Sequence, residues 1–554
     1  MKSKKWSYNL LVLALLQLVV ALPSIAGDYN VSDISLSPGS DASKLNLNWQ
    51  TADTATTSCA VKIAEGGRFS KKSNIFIGTK TLNPSTNEYY CEVTVTDLKY
   101  SKNYSYRLGN NNGSWSDSYN YSTGNKNNYG FFYVADSQIG ASAKMCPPPD
   151  VDPTCSVTEN DRILADDNDA AGWAETVDIM TDIFPHGAFI MSGGDQIENK
   201  GREYEYTGFF SPAELTSLPV APTVGSHDRE INHNYHFNLP NESSQYGYYS
   251  KGGGDYYFTY GNALFMVLNM DKTTRTYQRG QPGDDDSDGV SNSIDQCPYT
   301  SKGAVVDSAT GCQVGELPTD TDGDEVPDYK DQCPCSDGEG SETGCIEGEE
   351  PSSDCKAIND CKPLSSFNVS DHKAFMEDAI AKNPGVEWKI VMWHYSIYSA
   401  GNHAADDDIQ ALRDAIVPVI DSLDIDLVLM AHDHVYTRTY QMLNDVPQEA
   451  PKKVKYAANV NPPGTLYVTG ATSSGSKYYS LNCAYPGDDY FEYAAKADDV
   501  GSPSFSYIDV RNNMLRITTF AYTITDEETG KYDLEVIDTY KIVKNEPRPL
   551  PKER

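Results

Sequence analysis

Eight short runs of mostly apolar residues, spread between residues 129 and 471, constrain the fold of this chain more than any other feature. Runs that are apolar throughout are typical of strands buried on both faces of a sheet. Between them, residues 168–183, 371–382 and 405–423 read as amphipathic helices. The alternation predicts a layered α/β domain. The runs are YGFFYVA, GAFIMSG, PVAPTVG, DYYFTYG, ALFMVLNM, WKIVMWH, IDLVLMAH and GTLYVTGA.

The region before this domain has a different pattern. Residues 28–124 alternate apolar and polar positions in short runs separated by Gly, Asn and Ser, which predicts a small all-β sandwich. Cys59 and Cys91 lie in two of its predicted strands and are candidates for a disulfide. Residues 1–26 combine lysines, the apolar run LLVLALLQLVVAL and Ser-Ile-Ala, which is typical of a secretory signal peptide. A signal anchor is the alternative, although the run is short for a membrane span.

Length, cysteine content and charge bear on where the protein works and what it binds. A chain of 554 residues is too long for one core, so we expect two or more domains. Twelve cysteines, many in close pairs such as Cys297 and Cys312, favour disulfides in an oxidising compartment over zinc clips. A net charge of -35 argues against nucleic acid or anionic lipid and favours divalent cations. We predict a secreted or periplasmic protein whose mature chain has no transmembrane segment.

Residues 281–365 interrupt the α/β domain with an acidic segment that repeats internally. It has 21 acids against four lysines and almost no apolar periodicity. Two Cys-Pro pairs, at Cys297 and Cys333, mark the copies DDDSDGVSNSIDQCP and DTDGDEVPDYKDQCP. Acids at alternating positions of a tight loop supply the oxygen ligands that calcium binds, whereas a disordered acidic linker is the alternative. The candidate calcium ligands are Asp284, Asp286, Asp288, Asp295, Asp320, Asp322, Asp324, Asp328 and Asp331.

Five of the strand-like segments end in polar clusters. In open α/β sheets ligands bind beyond the carboxyl ends of the strands, so we expect these clusters to meet in one crevice. Five of the nine histidines of the chain fall in them. One histidine at a strand end is usually structural, but five such clusters favour a metal or catalytic site. The clusters contain Asp136 and Gln138; Asp195 and Glu198; Ser226, His227 and Asp228; His394 and His403; and His432 and His434.

The order of these motifs, D-x-Q, G-G-D, G-S-H-D, H and H-x-H, resembles the calcineurin-like metallophosphoesterases, and most closely their purple acid phosphatase branch. That branch carries an N-terminal fibronectin type III-like sandwich, and residues 105–125 resemble the end of one. The acidic copies resemble thrombospondin type 3 calcium-binding repeats, although Glu325 stands where such repeats usually have glycine. The residue patterns and the resemblance together predict a signal peptide at 1–26, a β-sandwich at 28–124, a four-layer α/β sandwich at 129–280 and 366–545, and a calcium-binding insert at 281–365.

The resemblance also implies a site for two metal ions, with Fe, Zn or Mn as candidates. Asp136 and His434 would bind the first metal, and His394 and His432 the second. Asp195 would bridge both, since one carboxylate can span two neighbouring cations.

Further roles and three departures follow from the same resemblance. His227 would stabilise the transferring phosphoryl group or protonate the leaving oxygen, and His403 would contact the substrate. Gln138 replaces a histidine, which favours harder cations. Glu198 replaces the tyrosine responsible for the purple colour, so we expect a colourless protein. Ser226 replaces an asparagine, which would weaken the second metal site.

These observations predict an exported, metal-dependent phosphoesterase that hydrolyses phosphomonoesters, as an acid phosphatase does, by means of a metal-activated hydroxide. A phosphodiesterase or nucleotidase is an alternative, because the motifs determine the chemistry at phosphorus and leave the leaving group open. An alternative of another class is a calcium-dependent surface or adhesion protein whose phosphatase core is degenerate, and Ser226 is its best support.

Overall fold

The protein is described by a computed structural model at residues 29–70, 73–84, 86–143, 157–228, 231–243, 253–270, 369–448, 458–481, 492–526 and 529–544. The predicted signal peptide, the acidic insert with its candidate calcium ligands, and the Cys297–Cys312 pair lie outside these residues. Within them, no helix combines the length and the apolar character needed to cross a membrane.

The N-terminal domain is a sandwich of antiparallel strands. They are β1 (Ser32–Pro38), β2 (Leu45–Thr51), β3 (Cys59–Glu65), β4 (Asn74–Asn83), β5 (Glu88–Val95), β6 (Asn103–Asn110) and β7 (Tyr119–Ser122). The first half of β4 pairs with β3 and the second half with β5, which gives the order β1-β2-β5-β4-β3-β6-β7. The core contains the fully buried Trp49. Cys59 on β3 and Cys91 on β5 form a disulfide, which confirms the predicted pairing.

The remaining described residues form the α/β domain. Its strands are β8 (Asn128–Val134), β9 (Gly187–Ser192), β10 (Val220–Pro222), β11 (Tyr256–Tyr260), β12 (Ala263–Val267), β13 (Trp388–Met392), β14 (Leu427–Met430), β15 (Tyr436–Leu443), β16 (Val446–Pro447), β17 (Asn459–Val460), β18 (Thr465–Thr469), β19 (Ala494–Asp498), β20 (Ser504–Arg511), β21 (Met514–Asp526) and β22 (Lys531–Val543). Its helices are α1 (Glu159–Ile183), α2 (Glu203–Phe209), α3 (Ile231–Asn234), α4 (Val369–Lys382) and α5 (Asp407–Ser422), with 3-10 turns at Ala213–Thr216 and His403–Ala405.

These strands form two mixed sheets. The first has the order β10-β9-β8-β20-β21-β22-β17, and the second has the order β11-β12-β13-β14-β18-β15-β16, with β19 paired to β15. Strands β8, β9 and β10 are parallel, as are β12, β13, β14 and β18. Within each sheet the carboxyl ends of the parallel strands therefore lie at one edge.

Apolar packing holds the layers together. Side chains such as Phe131 and Phe265 fill the space between the two sheets. Helix α1 packs on the outer face of the first sheet through Trp173, while α4 and α5 pack on the second through Phe375 and Leu412. Helix, sheet, sheet and helix make four layers, which confirms the predicted α/β sandwich.

The eight apolar runs are all strands, and the three predicted helices are present. Helix α1 begins at Glu159, earlier than the predicted residue 168. Its first turns carry few apolar residues, so periodicity did not reveal them, but Thr158 and Asp161 form a reciprocal capping box that starts the helix.

One buried carboxylate joins the two chain segments that flank the acidic insert. Asp255 accepts a hydrogen bond of 2.9 Å from the backbone N–H of Asn269, which precedes the insert. Its other oxygen lies 2.6 Å from Nδ1 of His372, which follows the insert. Both side chains are buried. The described segments before and after the insert thus meet at a single side chain.

Candidate metal centre

One carboxylate and two imidazoles converge beyond the ends of β9, β13 and β14. His394 Nε2 lies 3.2 Å from Asp195 Oδ2 and 3.1 Å from His432 Nδ1. One ligand atom from each of the three side chains lies within 4.8 Å of the others. A set of one oxygen and two nitrogen donors suits zinc and neighbouring transition metals.

Asp136 and His434 form a second pair beside this cluster. Asp136 accepts hydrogen bonds of 3.2 and 3.0 Å from the backbone N–H of His432, and its Oδ1 lies 3.7 Å from His434 Nε2. His434 Nδ1 lies 2.8 Å from the carbonyl oxygen of Lys477. Burial lowers the pKa of His434 to about 4. His432 and His434, although two positions apart, therefore face different groups.

Several residues of the centre have a left-handed backbone that is unfavourable for side chains other than glycine. The φ angles are 43° at Asp136, 38° at Gln138, 49° at Asp195, 77° at His432 and 51° at His434. Each such residue costs on the order of 1 kcal/mol or more and persists only where the surroundings hold it. Here the N–H of Gln138 donates to the carbonyl of Asp195 at 2.8 Å. Strain of this kind clusters at functional sites.

The charges in the centre depend on one another. Burial lowers the pKa of His394, but the charges of Asp195 and Asp136 outweigh it and raise this pKa to about 9. Burial raises the pKa of Asp195, but charged His394 holds it far below its usual range. Burial raises the pKa of Asp136 and lowers that of His432. Asp195 and His394 thus stabilise each other's charged forms.

Three further predicted ligands lie around the cluster. The hydroxyl of Ser226 is 3.4 Å from Asp195 Oδ2. The amide nitrogen of Gln138 donates to Glu198 Oε2 at 2.7 Å. Its amide oxygen is buried and has no hydrogen-bond partner within the described part of the chain. Because buried polar atoms nearly always have partners, an orphaned oxygen here fits a site for a cation.

The two predicted catalytic histidines lie at the rim. The backbone N–H of His227 donates to Asp195 Oδ1 at 2.8 Å, and its ring Nδ1 lies 2.6 Å from the carbonyl oxygen of Glu198. The ring of His403 lies 4.6 Å from that of His432. Their side chains are 31% and 34% exposed, so a ligand from solvent can reach both.

Asp228 and Asp433, to which the sequence assigned no chemical role, position these loops. Buried Asp228 accepts hydrogen bonds from the backbone N–H groups of Gln196 at 2.9 Å and Gly225 at 3.0 Å. Burial and the charge of Asp195 raise the pKa of Asp228 to about 8. Asp433 accepts a hydrogen bond of 2.9 Å from the backbone N–H of His403.

Sequence reasoning also missed the segment that follows β18. The ring of Tyr479 lies 4.7 Å from that of His434 and 5.6 Å from that of His403. Lys477 lies close enough for its charge to act on Asp136 and His434. The available signal was the polar run TSSGSKYY, which follows an apolar strand just as the other clusters do.

Comparisons with known proteins bear on the family and the fold. The family models "Purple acid Phosphatase, N-terminal domain", "Calcineurin-like phosphoesterase" and "Thrombospondin type 3 repeat" match residues 31–123, 317–436 and 282–304. The third match covers the first acidic copy, and the second match begins inside the predicted insert. No curated protein matches the chain.

Two solved structures are similar to the chain. One is the purple acid phosphatase PPD1 from yellow lupin (Lupinus luteus) seeds, at 13% identity and a TM-score of 0.53, over 94% of this chain and 75% of that one. The other is GAP50, the anchor in the inner membrane complex of Plasmodium, at 13% identity and a TM-score of 0.36, over 77% of this chain and 92% of that one. The lupin structure shows a shared fold, whereas the second score is too low to support an argument.

The matches confirm the resemblance predicted from the motifs, and together they support a phosphoesterase enzyme. The chain carries a calcineurin-like phosphoesterase domain with the purple acid phosphatase fold, preceded by a purple acid phosphatase N-terminal domain and combined with a thrombospondin type 3 repeat.

Proposed function

We propose that the protein is an exported phosphoesterase that hydrolyses phosphomonoesters with the help of two metal ions, with Fe, Zn or Mn as candidates. The convergence of Asp195, His394 and His432 within 4.8 Å carries this proposal. The unpaired buried oxygen of Gln138 supports it, because it supplies a further donor beside the cluster.

The proposed ligands divide between two ions. Asp136 and His434 would hold one, His394 and His432 would hold the other, and Asp195 would bridge them. The surrounding donors Gln138, Glu198 and Ser226 would complete the two sites. When bound, such a metal pair makes hydroxide available near neutral pH and offsets the charge of the phosphoryl group.

The rim histidines would act on the substrate. Because Nδ1 of His227 donates to the carbonyl of Glu198, Nε2 is the ring nitrogen that faces the substrate, and it would donate to the phosphoryl group or to the leaving oxygen when both ring nitrogens carry a proton. His403 would contact the substrate from the neighbouring side, since Asp433 holds its backbone beside His432.

Hydrolysis of p-nitrophenyl phosphate by the purified protein with added Mn, Zn or Fe tests the proposal. We expect metal-dependent turnover, a loss of bound metal in His394→Ala, and a decrease in kcat of about 10²- to 10⁴-fold in His227→Ala with metal retained. Absence of turnover with every metal would refute the enzyme. A preference for bis(p-nitrophenyl) phosphate would show a phosphodiesterase instead.

We further propose that the insert binds calcium and that the protein is secreted or periplasmic. The thrombospondin type 3 match at residues 282–304 supports the first point, and the Cys59–Cys91 disulfide supports the second. The carboxylates of Asp284, Asp286 and Asp288 would supply calcium ligands. EGTA should therefore accelerate proteolysis between residues 284 and 345, and an unchanged digestion pattern would contradict folded repeats.

A further inference from the structure

The chain passes beside the candidate metal centre after β18, and we refer to residues 470–479 as the arm. The N–H of Ser473 donates to the carbonyl of Ala135 at 2.9 Å, and the hydroxyl of Thr472 donates to the carbonyl of Asp136 at 2.9 Å. Further along, the carbonyl of Lys477 lies 2.8 Å from His434 Nδ1. The arm is thus tied to both segments that carry Asp136 and His434.

The arm places one cation at the rim of the centre. The Lys477 ammonium lies 5.3 Å from the centroid of the Tyr479 ring, within the range of a cation–π contact. Negative charges of Glu198 and Asp195 act on it from further away. Because the Tyr479 ring lies beside His434 and His403, the ammonium is held next to the candidate centre and its rim. Lys477 is partly exposed, so it can exchange water for a ligand.

The chemistry of phosphate esters indicates what this lysine can recognise. A monoester presents three nonbridging oxygens and up to two negative charges, whereas a diester presents two such oxygens and one charge. An added positive charge attracts a dianion more strongly than a monoanion. An ammonium at the rim therefore favours the monoester, and it can donate a charge-assisted hydrogen bond to the additional oxygen.

We propose that Lys477, oriented by Tyr479, binds a nonbridging oxygen of a phosphomonoester and thereby makes the site prefer monoesters over diesters. This inference rests on the proposed function of the metal centre and specifies its substrate class. A purely structural role of Lys477 would lie in its backbone carbonyl, which every side-chain substitution leaves in place.

The test compares Lys477→Met, which removes the charge, with Lys477→Arg, which keeps it. In metal-loaded protein, we expect Lys477→Met to lower kcat/KM for p-nitrophenyl phosphate by about 10- to 100-fold, as expected for the loss of one charged hydrogen bond. For bis(p-nitrophenyl) phosphate the decrease should be under about threefold, because that ester lacks the additional charged oxygen. Lys477→Arg should retain most of the preference for the monoester. Lys373→Met, a half-exposed lysine on helix α4, is the matched control.

Binding of inorganic phosphate, measured by calorimetry on the same proteins, provides a readout that needs no turnover. Lys477→Met should weaken it by about 10- to 100-fold. Equal losses for both esters, or unchanged phosphate affinity, would refute the role of Lys477. If the wild-type protein hydrolyses neither ester, the proposed function fails, and the phosphate affinities then decide alone whether Lys477 binds a phosphoryl oxygen.

Discussion

Ser226 is the residue whose chemistry most limits the candidate metal centre. Its hydroxyl lies 3.4 Å from Asp195 Oδ2, at the long limit of a hydrogen bond. A neutral hydroxyl on a short side chain is a weaker metal ligand than an amide oxygen on a longer one. The proposed centre therefore has five strong donors, Asp136, Asp195, His394, His432 and His434, and one weak donor at this position.

Ser226→Asn should strengthen the weaker metal site. An asparagine oxygen reaches further toward Asp195 and His394, so we expect the metal concentration for half-maximal activity to fall by about 10-fold, the size of effect that neighbouring groups exert on metal affinity. Hydrolysis of p-nitrophenyl phosphate at increasing concentrations of Mn or Zn measures this half-maximal concentration. Ser226→Ala is the control, and its metal concentration for half-maximal activity should equal that of the wild type or exceed it. A higher metal requirement in Ser226→Asn would mean that position 226 does not face a metal.

Asp228→Ala should destabilise the fold. Buried N–H groups of Gln196 and Gly225 would lose their acceptor, at a cost of roughly 2–4 kcal/mol in the free energy of unfolding. Urea unfolding of the metal-free protein measures it, with the exposed Asp533→Ala as control. A change below about 0.5 kcal/mol, which is usual for surface positions, would contradict this role.

At the scale of elements, helix α2 fixes a loop of the centre through a buried acid. Glu205 Oε2 accepts hydrogen bonds from the backbone N–H groups of Glu198 at 3.0 Å and Asn199 at 2.7 Å. Arg202 pairs with Glu205 at 3.3 Å and with Asp166 at 2.7 Å. Burial raises the pKa of Glu205 from 4.5 to about 7. The loop that carries Glu198 is therefore tied to a group that titrates near neutral pH.

This carboxyl should make stability depend on pH. Between pH 4.5 and 7 the folded state keeps a proton on Glu205 that the unfolded state has released, so its contribution to stability is lost as the pH rises through this window. The free energy of unfolding of the wild type should fall between pH 5 and 7.5. In Glu205→Gln this decrease should be smaller by on the order of 2 kcal/mol. Urea unfolding across this range measures it, with Glu377→Gln as an exposed control. Parallel curves for wild type and Glu205→Gln would contradict the expectation.

How much could be predicted differs between elements and loops. The buried strands were predictable because apolar runs such as WKIVMWH have few other places in a soluble domain. The histidines at the ends of these strands were predictable as well, because each directly follows an apolar run. The left-handed backbone at Asp136 and Asp195 was not, because it results from contacts between loops distant in sequence. Lys477 and Tyr479 were missed because neither residue type is a usual metal ligand, and their position depends on how β18 lies beside β14.

At the scale of the whole molecule, contacts between the domains are polar as well as apolar. Tyr106 OH of the N-terminal sandwich donates to the carbonyl of Thr216 at 2.6 Å, and Asn46 donates to that of Asn238 at 2.9 Å. Both acceptors lie on segments that flank the loop with Ser226 and His227. The sandwich thus contacts segments that flank one loop of the candidate metal centre, whereas Asp255 joins the described segments on either side of the insert.

Replacing residues 281–365 by a short Gly-Ser linker should leave the α/β domain intact. Asp255 contacts both Asn269 and His372, which lie outside the insert, and a shorter loop costs less entropy to close. We expect the linker variant to have the same melting temperature, and to bind the same amount of active-site metal, as the full chain in EGTA. Asp255→Ala in the linker variant should lower the free energy of unfolding by about 2–4 kcal/mol, because the buried partners lose their acceptor. An unfolded linker variant with Asp255 intact would contradict the independence of the junction.

Because Asp255 joins the segments on either side of the acidic insert, we expect the insert to vary independently of the α/β domain. A segment inserted between Asn269 and His372, which both contact Asp255, requires no new packing in the α/β domain. Natural variants with longer, shorter or unrelated modules at this point should keep the acid and the histidine while everything between them diverges.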